Sequence, residues 1–193
     1  MGRIVISTNA SLDGVVEDPT GEEGFERGGW FTRSAPADLA AWADVEREEA
    51  FTVDALLLGR RTDAWFAPRW TPRRDPWADR LNALPKYVVS TSPEPARWTN
   101  ATVLGGDAVT EAARLKERLD GDIVVYASYR LGHVLLEHDL VDEVRLFVFP
   151  VVVGGGRRLF GEPAAAKPMH LVESRSLGAG LVHVTYRPVG VSR

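Results

Sequence analysis

Three short and almost wholly apolar runs constrain this chain most: VDALLLG (Val53–Gly59), KYVVST (Lys86–Thr91) and DIVVY (Asp122–Tyr126). A strand whose successive side chains are all apolar has to be covered on both faces, as in a parallel sheet flanked by helices. RIVISTN (Arg3–Asn9) and ATVL (Ala101–Leu104) read as further strands. Between the runs the period changes. Leu39, Trp42, Val45 and Glu46 mark a helix over Ala37–Phe51 with Pro36 in its first turn, and AVTEAARLKERLD is an amphipathic helix that Gly121 ends. Asp107 is placed to cap that helix, and after DIVVY the residues Leu131, Val134 and Leu135 recur at helical spacing. DEVRLFVFPVVVGGGRRLF reads as a long strand with Pro150 at a bulge or edge. HLVESRSLGAGLVHVTYRP reads as a hairpin turned through Gly178 and Gly180. The alternation predicts one α/β domain over residues 1–193, with a mostly parallel sheet, helices on both faces and a closing antiparallel hairpin.

With 23 basic against 27 acidic residues the net charge is −4, which predicts no broad basic face and no nucleic-acid partner. Arg60-Arg61 and Arg73-Arg74 could still hold a small anion. The absence of cysteine excludes disulfides, thiolate metal sites and a cysteine nucleophile. The four histidines form neither HxxxH nor HExxH, so no metal is expected. The N-terminal MGRIVISTNASLDG lacks the apolar core of a secretory signal, Ile6 breaks the myristoylation pattern, and no apolar run reaches the roughly 18 residues of a membrane span. A cytoplasmic protein without a membrane partner is the expectation. Long apolar edge strands such as EVRLFVFPVVV need covering, which predicts an oligomer.

In open α/β sheets, ligands bind beyond the carboxyl ends of the strands. Four such ends carry suggestive residues. Gly59, Arg60, Arg61 and Thr62 offer a close backbone approach with guanidinium and hydroxyl donors, or else a turn with solvated arginines. Ser90 and Thr91 are either ligand hydroxyls or part of an ordinary turn before Pro93. Gly105, Gly106 and Asp107 form an anion nest or a helix entry. Ala127–Leu131 opens a helix whose first N–H groups can face an anion, yet glycines are missing there and no GxGxxG fingerprint exists. The Ser11–Trp30 segment, with five glycines, is a functional or mobile loop. GGGRRLF is an anion loop or a flexible strand exit whose arginines help line a pocket. The six tryptophans serve either a flat substrate or packing.

The order of STNASLDG, LLLGRRT, ALPKYVVSTS, the block from Gly121 to Phe160 and the final hairpin resembles the dihydrofolate reductase-like superfamily. The nearest branch is similar to the C-terminal reductase domain of the riboflavin-biosynthesis deaminase/reductase. The resemblance implies a three-layer single domain, a homodimer, and an NADPH site without a Rossmann fingerprint. Arg60, Arg61 and Thr62 would hold the 2′-phosphate and pyrophosphate, and Ser90 and Thr91 would lie by the adenosine end. Ala127, Ser128, Tyr129, Arg130 and Leu131 would face the pyrophosphate, and Asn9, Ala10 and Val16 would flank the nicotinamide. The first loop, with Asp13, Gly14 and Trp30, would cover the substrate. PADLA (Pro36–Ala40) is similar to the dihydrofolate reductase segment whose aspartate supports substrate protonation, here Asp38. On the residues alone, Asp38 equally suits a first helical turn and Asp13 a loop turn. Riboflavin-pathway reductases carry a lysine and a glutamate where Ser7 and Tyr126 stand, and no deaminase domain is present, so the riboflavin enzyme itself is not expected. The reading is an NADPH-dependent reductase of a small flat conjugated substrate. Its alternatives are a non-catalytic ligand-binding module and a flavin- or deazaflavin-using reductase.

Overall fold

The computed structural model describes residues 1–161 and 166–190. Its elements are β1 (Arg3–Ser11), α1 (Trp30–Ser34), α2 (Leu39–Thr52), β2 (Ala55–Gly59), α3 (Arg60–Trp70), α4 (Pro76–Ala83), β3 (Lys86–Val89) and β4 (Ala101–Leu104). Then follow α5 (Ala108–Arg118), β5 (Asp122–Tyr126), α6 (Tyr129–Glu137), β6 (Val141–Phe149), β7 (Met169–Leu177) and β8 (Leu181–Pro188). All eight strands form one sheet in the order β4-β3-β2-β5-β1-β6-β8-β7. The first six are parallel, while β8 and β7 are antiparallel to their neighbours.

The apolar runs are continuous because alternate residues enter two different cores. Ile4, Ile6, Leu57, Ile123 and Val125 pack with Ala112, Leu115, Leu131 and Leu135 on the α5–α6 face. Val5, Leu56, Leu58 and Val124 pack with Ala50, Ala67 and Leu81 on the α2–α4 face. All of these strand residues are fully buried. This is the three-layer arrangement that two-sided burial of parallel strands requires.

Three elements differ from the sequence expectation. The helix expected over Ala37–Phe51 begins with a 3-10 turn, Pro36–Asp38, before α2 proper. The Trp- and Arg-rich stretch after β2 forms two helices, α3 and α4. The long strand stops at Phe149, since Pro150 has no N–H to continue the ladder.

Beyond Pro150 the chain becomes an arm that clamps the first loop. Leu12 donates to Val151 O (2.9 Å) and Val16 to Arg157 O (2.9 Å), and Val15 bridges Arg158. The Asp18 carboxylate accepts from the backbone of Glu23 and Phe25, which folds the loop on itself. Of the two readings of this segment, functional or mobile, the contacts describe a loop fixed in place.

At the β5–α6 junction Ala127 and Ser128 have φ of +51° and +31°, the left-handed region that favours glycine. Ser128 Oγ accepts from Gly59 N (3.0 Å) and donates to Thr62 Oγ1 (2.8 Å), tying the end of β5 to the end of β2. Left-handed backbone costs an L-residue roughly 1–2 kcal/mol, and glycine's extra freedom in the unfolded chain offsets part of any relief. Ala127→Gly, which removes only an exposed methyl, should therefore raise the unfolding free energy by up to about 1 kcal/mol. Ser128→Ala, which leaves the Gly59 N–H without its acceptor, should lower it by about 1–2 kcal/mol. Urea unfolding of both variants checks this, and a destabilised Ala127→Gly protein would show the turn to be unstrained.

Candidate functional site

A cleft of about 560 Å³ lies across the carboxyl ends of β1, β5 and β2, bounded by α2, α3, α6 and the first loop. Parallel strands end on the same edge, so the residues that leave them converge there: Asn9 from β1, Gly59 from β2 and Tyr126 from β5. The cleft has two chemically distinct halves.

One half is built for anions. Helices α3 and α6 both begin in it, and neither has a side chain capping its first turn. By contrast α4, which begins by the aromatic half, and α5, which begins outside the cleft lining, are capped by Asp75 and Asp107. Uncapped N–H groups and the positive helix end are the elements of a phosphate site. Thr62, Ser128 and the arginines 61, 130 and 157 add donors. Arg61 pairs with Glu23 of the first loop (2.9 Å) at the surface. Arg157, from the arm, pairs with Glu17 (3.3 Å) and donates to Tyr129 Oη, which also accepts from Arg130 Nε (3.0 Å). Arg157 had entered the sequence reading only through GGGRRLF.

Arg60 has a different duty. Its Nε donates to Ser90 Oγ (3.0 Å), and its terminal nitrogens to the carbonyls of Pro95 (2.8 Å), Ser92 (3.2 Å) and Glu94 (2.6 Å). The guanidinium holds the loop after β3 and has little donor capacity left for a ligand.

The other half is aromatic. Five of the six tryptophans, Trp42, Trp65, Trp70, Trp77 and Trp98, line the cleft, joined by Phe31 and Phe66. Arg69 stacks on Trp65 (3.7 Å) and Arg73 on Trp70 (4.3 Å), and these arginines pair with Glu22 and Asp75. Trp42 Nε1 donates to Asn9 Oδ1 (2.9 Å). Ser7 and Tyr126 face each other in the β1–β5 register, and both are over nine-tenths buried. Their Oγ and Oη, together with Trp65 Nε1 and Trp77 Nε1, have no hydrogen-bond partner among the described residues. Unpaired buried polar atoms are uncommon in folded proteins, and four around one cleft mark it as a ligand surface.

Glu46, one turn after Trp42 on α2, also lines this half. Burial and the neighbouring Glu49 push its carboxyl well above the usual carboxylate range. Burial, with Glu49 and Glu46 nearby, likewise raises the Tyr126 phenol. The sequence reading used Glu46 only as a marker of helical spacing; its position four residues after Trp42 was the available signal for a shared face.

Several sequence candidates lie elsewhere. Asp38 is buried at the hairpin turn, where it accepts from Ala179 (3.0 Å), Gly180 (2.9 Å) and Leu181 (3.1 Å) N–H groups that hold its carboxyl low. A Cβ on Gly178 would fall 2.1 Å from Asp38 Oδ1, so this turn admits only glycine there. Asp13 accepts from Ser11 Oγ (2.7 Å) and from Val153 (3.0 Å) and Gly154 (2.9 Å) N–H, and its carboxyl is lowered to about 2. Both aspartates anchor turns and lie outside the cleft lining. Trp30 is a core residue: its indole donates to Glu17 O (3.1 Å) and packs edge-on against Phe149 (5.6 Å). Ala10 is buried in the core. Ser90, Thr91, Gly105 and Gly106 lie outside the cleft lining; Ser90 Oγ is taken by Arg60 and Ser92 N, and Gly105-Gly106 lead into the Asp107-capped helix. The structure brings Asn9, Val16, Gly59, Arg60, Arg61, Thr62 and Ala127–Leu131 together in the cleft.

Comparison with known proteins is consistent with this geometry. The chain matches the RibD C-terminal domain family over residues 3–183. It is 26% identical to the uncharacterized protein YyaP of Bacillus subtilis, covering 95% of this chain and 94% of that one. Among solved structures it resembles a putative riboflavin biosynthesis protein from Shewanella sp. PV-4, with TM-score 0.67, 20% identity and coverage of 96% and 98%. It also resembles dihydrofolate reductase from Enterococcus faecalis complexed with NADP(H), with TM-score 0.55, 16% identity and coverage of 97% and 96%. No helix among the described residues is long and apolar enough to cross a membrane. The chain belongs to the RibD C-terminal domain family and has its dihydrofolate reductase-like, reductase-type fold.

Proposed function

We propose that the protein is an NADPH-dependent reductase of a small, flat, conjugated substrate, related to the riboflavin-pathway reductases without being the riboflavin enzyme. The observation that carries the reading is the division of one cleft into an anion-binding half and an aromatic half. A dinucleotide has matching ends, with phosphates for the first and a planar ring to lie against the acceptor at the second. When bound, it supplies the hydride.

The chain's own residues do the rest. The uncapped starts of α3 and α6, with Thr62, Arg61 and Arg130, would hold the phosphates. Arg61 is presently paired with Glu23, and an exposed ion pair of this kind is worth at most about 1 kcal/mol, so a phosphate can replace the carboxylate. Tyr129, tied to Arg130 and Arg157, gives the site a stacking or gripping wall in place of the missing glycines. Asn9 and Val16 would border the nicotinamide, the tryptophans would orient the acceptor, and the clamped first loop would limit water. Ser7 of β1 and Tyr126 at the end of β5 stand in the same lining, behind the surface that the acceptor would meet.

Titration with NADPH and NADH should show tighter binding of the phosphorylated dinucleotide. Arg61→Ala should weaken NADPH about tenfold, the equivalent of about 1.4 kcal/mol, while changing NADH less. Binding of neither dinucleotide would remove the reading.

We also propose a homodimer. β7 is an edge strand with nearly every residue exposed, and its Leu171 and Val172 are apolar and 46% and 43% exposed. Such an edge needs covering. Sedimentation should give a dimer for the wild type and a monomer for a Leu171→Lys, Val172→Glu variant. A monomeric wild type would overturn this assignment.

A further inference from the structure

Four carboxylates line the cleft, and three are occupied. Glu17 accepts from the Arg157 backbone N–H (2.9 Å), Asp18 from the Glu23 and Phe25 N–H groups (3.1 and 3.0 Å), and Glu23 pairs with Arg61 (2.9 Å). Glu46 alone has neither a hydrogen bond nor an ion pair among the described residues. It stands in the aromatic half, one helical turn from Trp42, in a lining shared with the unpartnered Ser7 Oγ and Tyr126 Oη.

The charged groups around it leave it in this condition. On its own helix, Glu49 gives Oε1 to Arg145 of β6 (2.7 Å), and Arg145 also pairs with Glu143 (2.6 Å) and Asp122 (3.1 Å). The cation that Glu49 engages is thus already shared among three carboxylates. Across the cleft, Arg69 and Arg73 are paired with Glu22 and Asp75 and stacked on tryptophans. From β5 comes a phenol, Tyr126, which carries no charge at neutral pH. Burial and a carboxylate one turn away raise the Glu46 carboxyl well above the usual carboxylate range, which favours its protonated form.

We infer that Glu46 is the proton donor of this cleft, giving its carboxyl proton to a ring nitrogen or carbonyl oxygen of a flat, uncharged acceptor as hydride adds to the adjacent carbon. This rests on the reductase reading above. Hydride from the reduced nicotinamide forms the new C–H bond, the π pair of the C=N or C=O bond moves to the heteroatom, and that atom takes the Glu46 proton. The carboxylate left behind is reprotonated from water. The acceptor is uncharged because both arginines of this half are neutralised, leaving nothing to hold a phosphate or carboxylate there. The competent, protonated form of Glu46 is present below its raised pKa and is lost as pH rises through it.

The test begins with the full chain alone, labelled with ¹³C at glutamate carboxyls and titrated by NMR. The Glu46 resonance, identified by its loss in Glu46→Gln, should titrate well above the ordinary glutamate range, and Glu49→Gln should bring that midpoint down. A second readout uses 2-aminobenzimidazole, a flat, weakly basic ring. Bound to the wild type it should show the absorption of its protonated form, and Glu46→Gln should bind it about tenfold more weakly with the ring left neutral. An ordinary carboxyl midpoint, or equal affinity in the glutamine variant, overturns the assignment. NADPH titration separates the two levels: no NADPH binding to the wild type removes the reductase reading, whereas binding together with an ordinary Glu46 midpoint removes only the proton donor.

Discussion

The bond on which the site depends is the one from Ser128 Oγ to the Gly59 amide, extended to Thr62 Oγ1. β2 and β5 are neighbours in the sheet for only two paired positions, Ala55–Ile123 and Leu56–Val124. Their carboxyl ends would otherwise diverge with the sheet twist. The serine ties the two strand-to-helix turns together where pairing has stopped, so α3 and α6 start side by side. A glycine at 128 would relieve the left-handed backbone and lose the tie. The chain keeps the side chain and tolerates the strain, and this accounts for a strand-to-helix turn that reads Ala-Ser-Tyr-Arg.

The acidic residues divide by length of side chain. Asp13, Asp18, Asp38, Asp63, Asp75 and Asp107 all accept from backbone N–H groups in turns or at helix starts. A short carboxylate reaches back to nearby backbone readily, and at Asp13, Asp38, Asp75 and Asp107 hydrogen bonds hold the carboxyl low. The glutamates around the cleft extend to side chains of other elements: Glu17 to Arg157, Glu22 to Arg69 and Glu23 to Arg61. The aspartates of SLDG and PADLA belong to the first group. Resemblance at those positions coincides with the loop and hairpin geometry that these two carboxylates hold.

The layers of the fold were legible because two-sided burial writes itself as unbroken apolar runs, and the helix starts were legible from Asp107 and Pro36. The cleft was legible only in part. Arg60 and Arg61 are adjacent in sequence, yet successive helical residues point about 100° apart, so one turns to the loop after β3 and the other to the cleft mouth. Which does which depends on the phase of α3, and no local pattern fixes that phase in a segment whose apolar positions are tryptophans interleaved with arginines. The aromatic half is hidden for a related reason. Trp42, Trp77 and Trp98 come from α2, α4 and the loop before β4, and they meet only once the sheet has set the helices beside each other.

Composition conceals the site in the same way. A net charge of −4 argues against anionic ligands on average, but six arginines line the cleft: residues 60, 61, 69, 73, 130 and 157. What matters is how each is spent. Arg60 is used by loop carbonyls, Arg69 and Arg73 are paired and stacked, and Arg61 and Arg157 are paired with Glu23 and Glu17, which leaves Arg130 without an ion pair among the described residues beside two uncapped helix starts. The arm that supplies Arg157 also receives Asp13 through its Val153 and Gly154 amides, so the group that faces an anion and the clamp on the first loop share one stretch of backbone. What each end of the cleft offers, arginines set among Glu17, Asp18 and Glu23 beside helix starts at one and aromatic rings with paired arginines at the other, therefore follows from which partners the fold gives to residues of the same type.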